Sequence, residues 1–78
     1  MAHETVSISI DGHEHKSPEH TTGSALYVLG HVDPNTHDLF KEVQGHGEDE
    51  LIPNTDAPIE VKNGEHFFSA QKKLNPGR

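Results

Sequence analysis

The chain has no cysteine and no tryptophan, and only one methionine, one tyrosine and three phenylalanines among 78 residues. Without thiols, disulfide scaffolds, zinc ribbons and thiol- or thioester-bearing catalysis are excluded. Apolar residues make up only 29%, well below the globular norm, so the core is small and serves one domain rather than two. No apolar run is long enough to cross a bilayer, and Met1-Ala2-His3-Glu4 lacks the basic and greasy regions of a secretory leader. A cytoplasmic setting is the expectation.

Basic residues are scarce as well, six against 13 acids, for a net charge of −7. They are also unevenly placed. Residues 1–71 hold only Lys16, Lys41 and Lys62 against all 13 acids, whereas residues 72–78 hold Lys72, Lys73 and Arg78 and no acid. An acidic body repels nucleic acid and anionic lipid, so neither is an expected partner. The high charge and small core point to a monomer.

What the sequence does contain is strand periodicity. Thr5-Val6-Ser7-Ile8-Ser9-Ile10 alternates strictly, with Val6, Ile8 and Ile10 on one face, which predicts a half-buried strand. Asp11-Gly12 is the dipeptide most favoured in a two-residue hairpin turn. His13 to Ser17 is then a polar return strand at a sheet edge, stopped by Pro18 and built to resist sheet extension. A short helix is expected over Ser24–Leu29, capped by a threonine and ended by Gly30 in the left-handed conformation. Ala25, Leu26 and Leu29 form its apolar face, with Val32 just beyond. Two turns cannot persist alone, so the helix must lie on a sheet.

Asp38 to Val43 is a weaker strand, Gln44 to Glu50 a Gly- and acid-rich loop, and Leu51-Ile52-Pro53 a short apolar segment. Ile59-Glu60-Val61-Lys62 alternates again, Asn63-Gly64 turns, and Glu65 to Ala70 is the last strand, carrying two of the phenylalanines. From Gln71 onward nothing is periodic, and Asn75-Pro76-Gly77 cannot continue a strand. The division is a domain over 1–71 and a flexible tail over 72–78. Strand, turn, strand, helix, then strands, with the first and last the most apolar, is the order of an α+β β-grasp. It predicts a mixed four- to five-stranded sheet with one short helix across it and the first and last strands paired at its centre.

The series Ile8-Ser9-Ile10-Asp11-Gly12, Thr22-Gly23, Leu26, Leu29-Gly30, Asp38-Leu39-Phe40, Leu51-Ile52-Pro53 and Ile59 to Phe68 resembles a bacterial multiubiquitin-type domain. These are ubiquitin-like β-grasp modules, encoded beside homologues of ubiquitin-activating enzymes, conjugating enzymes and a metallopeptidase. The resemblance covers about residues 5 to 71 and is densest from Ile59 to Phe68. It implies a protein modifier, not an enzyme, in a stress or phage-defence system. Its terminal glycine carboxylate would be adenylated, passed to an enzyme thiol and joined to a target amine. Gly77 is the tail residue that fits, because it has no side chain to obstruct the reacting carbon. Pro76 before it and Arg78 after it depart from the paired-glycine ending of ubiquitin. Either a peptidase removes Arg78, or the terminus is used differently, or the chain is truncated or one repeat of a longer array. A sulfur carrier of the same fold and a non-conjugated interaction domain are the alternatives. The terminus counts against the first and the tail against the second.

Adjacent apolar residues in a strand point to opposite faces. One of Phe67 and Phe68, and one of Leu39 and Phe40, must therefore face outward. Phe40, Phe68 and Leu39 are the candidates for a partner-binding patch on the open sheet face, as ubiquitin-like modifiers use. The eight histidines raise the question of metal. His13 and His15 share a strand face at a chelating spacing, but the rest are scattered, and solvated surface histidines are the expected reading. No metal or cofactor is implied. Full protonation of those histidines moves the net charge from −7 to about +1, so solubility and partner binding are expected to depend on pH between about 5 and 7. Glu48, Asp49 and Glu50 lack the alternating oxygen ligands of a calcium loop, and no phosphate-cradling glycine motif is present.

Overall fold

In the computed structural model, which describes residues 5–43, 45 and 47–72, the alternating N-terminal segment is strand β1, Thr5–Ile10. It turns tightly into β2, His13–Pro18. The pair is antiparallel, and Ile10 faces His13 across a two-residue loop. Asp11 and Gly12 take φ of 53° and 82°, as a type I′ turn demands. A short strand β3, His20–Thr22, leads into helix α1, Gly23–Leu29. The strands that follow are β4 at His37–Lys41, β5 at Glu50–Ile52, β6 at Pro58–Glu60 and β7 at His66–Gln71.

Five strands form one mixed sheet in the order β2-β1-β7-β4-β5. β1 and β7 run parallel at its centre, while β7–β4 and β4–β5 are antiparallel. The expected α+β arrangement is therefore present, β-grasp-like, with one short helix among the described residues lying across the sheet. A second element, not expected from the sequence, is a separate two-stranded ribbon in which β3 pairs antiparallel with β6. Ile59 belongs to that ribbon, not to the main sheet. The segment expected from Asp38 to Val43 forms strand one residue earlier and stops at Lys41.

The core is Ile8, Ile10, Leu26, Tyr27, Val32, Leu39, Ile52, Val61 and Phe67, with Val6, Leu29 and Ile59 packed against it. Two helix expectations need correction. Its buried face is Leu26 and Tyr27, whereas Ala25 is exposed and Leu29 only partly covered. Tyr27 qualifies for the core because its hydroxyl is satisfied there. It donates to the Ile52 carbonyl at 2.9 Å and accepts from the Leu39 N–H at 3.0 Å.

The second correction concerns the helix end. His31, not Gly30, takes the left-handed conformation, with φ of 57°, while Gly30 has φ of −89°. Gly30 has a different constraint: a Cβ there would stand 2.6 Å from Cγ2 of Ile10. The position is a close approach of helix to sheet, not a backbone reversal. The helix start is as expected, with the Thr22 hydroxyl accepting from the Ala25 N–H at 3.1 Å.

Candidate functional site on the open sheet face

One face of the sheet carries the helix, and no described helix or strand covers the other. Alternation along each strand assigns side chains to the two faces. In β7, Phe67 is 3% exposed and lies in the core, so His66, Phe68 and Ala70 look outward. In β4, Leu39 is fully buried and Phe40 looks outward. Leu39 is accordingly removed from the candidate partner-binding patch: it pairs with Ile52 and Ser69 on the core side, and no partner can reach it. Phe40 and Phe68 remain.

These two rings are cross-strand partners. They stack with centroids 5.4 Å apart and planes 16° from parallel, within the range of favourable aromatic pairs. Leu51 of β5 lies directly opposite Phe40 and is 51% exposed. The result is an apolar row, Leu51–Phe40–Phe68, across β5, β4 and β7. The sequence signal for Leu51 is the doublet Leu51-Ile52, which sends one member to each face just as the two phenylalanine-containing doublets do.

Beside this row the face turns polar. The Ser9 hydroxyl and His66 Nδ1 are 2.7 Å apart, and the Lys16 ammonium donates to the Ser7 hydroxyl at 2.9 Å. Ser7, Ser9, Glu14, Gly64, Glu65 and His66 line a shallow cavity of about 260 Å³. A second hollow of about 420 Å³ surrounds Lys41. Its ammonium lies 3.3 Å from Glu50 and 3.5 Å from Glu65. Burial pulls the Lys41 pKa down, but Glu65 and Glu50 outweigh it and hold the group above the ordinary value of 10.5. His66 is exposed, and among the described residues its ring bonds the Ser9 hydroxyl and no carboxylate.

The fixed end of the sheet matters for the same face. The carboxylate of Asp11, in the β1–β2 turn, accepts from the Ser69 N–H at 2.8 Å and the Ser69 hydroxyl at 2.7 Å. β7 continues past this clasp alongside β4, with Gln71 opposite His37. Lys72 donates its N–H to the Thr36 carbonyl at 2.8 Å. Pro76, Gly77 and Arg78, the candidate conjugation residues, lie outside the described residues.

Among the described residues, no three of His, Asp and Glu gather as a metal ion would require. No described helix is long and apolar enough to cross a membrane. No protein-family model, no curated protein and no solved structure matches the chain.

Proposed function

We propose that this chain is a ubiquitin-like protein modifier of the bacterial conjugation type, activated at a C-terminal glycine and joined to target proteins. One observation supports the reading. The closing strand β7 lies at the sheet's centre beside β1, runs four residues beyond its pairing with Ile10, and carries Phe68 on the open face. A single strand thus carries Phe68 of the docking row of this reading and is the last described strand before the C-terminal residues. Activating and conjugating enzymes, a processing metallopeptidase and target proteins are the partners of this reading. The chain supplies no catalytic group of its own, and the open face recognises the partners.

The test uses intact-mass measurement. The full chain and a form ending at Gly77 are incubated with ATP and a ubiquitin-activating-type enzyme encoded beside the gene. An ATP-dependent covalent adduct through the terminal carboxylate is the expected result. In a parallel incubation with sulfide added, displacement of AMP from the adenylate by sulfide, read as replacement of one carboxylate oxygen by sulfur, identifies a sulfur carrier instead. Unchanged mass in both forms overturns covalent use and leaves an interaction domain that acts through the Leu51–Phe40–Phe68 row.

A further inference from the structure

β2 is an edge of the five-stranded sheet, with β1 on one side and no described strand on the other. Which of its main-chain groups point outward follows from the bonds of β1. The Ser9 and Asp11 N–H groups go to the Glu65 and Phe67 carbonyls, and the Ser7 carbonyl accepts from Gly64. Alternation therefore turns the main chain of Ile8 and Ile10 toward β2. Their partners there are His15 and His13. Glu14 and Lys16 consequently direct their N–H and C=O groups away from the sheet.

We propose that this edge pairs antiparallel with the same edge of a second copy of the chain, about a two-fold axis at His15. Glu14 of each copy then exchanges main-chain hydrogen bonds with Lys16 of the other. Their carboxylate and ammonium groups lie side by side on the open face, twice by symmetry. His13 meets Ser17, and His15 meets its own copy in a non-hydrogen-bonded position. Charged side chains ordinarily discourage edge pairing, but here the sign alternates so that the strand complements itself. A slip of two residues in either direction sets Glu14 against Glu14 or Lys16 against Lys16, which opposes like charges directly. A slip of one residue mismatches the outward main-chain groups. Among these registers, the one centred on His15 satisfies both demands. The interface is isologous, so it closes at two copies. This assignment is independent of the modifier reading and replaces the monomer expected from net charge.

Sedimentation equilibrium at physiological salt tests it, with circular dichroism to confirm that each variant keeps its sheet. The wild-type chain is expected to form a reversible dimer. Glu14→Lys and Lys16→Glu move the net charge in opposite directions, yet each is expected to raise the dimer dissociation constant roughly tenfold or more. The reciprocal double variant E14K/K16E restores the wild-type value to within roughly threefold. Because the protein has no cysteine, a single introduced thiol reports the register. In a non-hydrogen-bonded antiparallel pair the Cα atoms lie about 4.5 Å apart, within disulfide reach. His15→Cys is therefore expected to oxidise to a covalent dimer under native conditions, and His13→Cys, four residues out of register with its copy, is not. A single chain at every concentration, single variants that associate like the wild type, failure of the swap to restore pairing, or equal cross-linking at 13 and 15 overturns the proposal.

Discussion

The phenol oxygen of Tyr27, on the helix, accepts a hydrogen bond from the main-chain N–H of Leu39, in β4, at 3.0 Å. The same hydroxyl donates to the Ile52 carbonyl of β5 at 2.9 Å. One side chain thus joins the helix to two strands inside the core. Both main-chain groups are buried and depend on it.

Tyr27→Phe keeps the ring and removes the hydroxyl. It leaves two buried main-chain groups without this partner, and the expected loss is about 1–3 kcal/mol. Urea denaturation checks it. A midpoint equal to wild type would mean that water replaces the hydroxyl and that the contact is not needed.

The Asp11–Ser69 clasp combines two demands on one residue. Asp11 sits at φ of 53°, which aspartate and asparagine tolerate better than most side chains, and its carboxylate binds both polar groups of Ser69. Asp11→Asn is expected to stay within about 0.5 kcal/mol of wild type, and Asp11→Ala to lose about 1–2 kcal/mol. Equal stability of the two variants argues that the carboxyl or amide oxygen contributes nothing.

Lys41 sets an alkaline limit. Its pKa is raised in the folded state, so its contribution is present in full below the unfolded value and declines as pH climbs through the folded one. At neutral pH, Lys41→Met is expected to change stability by no more than about 1 kcal/mol, since the ion pairs are partly exposed. Above pH of about 10, the wild type is expected to lose stability faster than the variant. Urea midpoints measured across that range decide it, and parallel curves would remove Lys41 from the account.

The three phenylalanines divide by face. Phe67→Ala opens a cavity in the core and is expected to cost about 3–5 kcal/mol. Phe40→Ala and Phe68→Ala remove half-exposed rings and are expected to cost less than about 2 kcal/mol each. Because Phe40 and Phe68 stack, a double-mutant cycle between them is expected to return a coupling of about 0.5–1.5 kcal/mol. Additive losses would show that the rings are neighbours without mutual stabilisation.

The legible parts of the fold were those written in local chemistry. Thr5 to Ile10 has a period of two that only a strand satisfies, Asp11-Gly12 suits a mirror-image turn, and Thr22 caps the helix through its own hydroxyl. Other features depend on residues far apart in the chain. Nothing near Tyr27 indicates that its hydroxyl will find Leu39 and Ile52, and nothing near His20 indicates pairing with Glu60. Gly30 reads locally as a left-handed helix stop, yet its need for glycine comes from Ile10, twenty residues earlier.

The same boundary runs through the candidate site. Period-two geometry alone required that Leu39 and Phe40, and likewise Phe67 and Phe68, separate onto opposite faces. It carried no information on which member faced outward, because a pleated strand is symmetric about its own axis until a helix covers one side. Packing of α1 over Leu39 and Phe67 broke that symmetry and left Phe40 and Phe68 together on the other side. The sequence determined the alternation, the turns and the acidic balance, which are properties of neighbouring residues. The tertiary structure decided the stacked rings, the Asp11–Ser69 clasp and the free edge of β2, because each requires strand order and register, which only long-range pairing supplies.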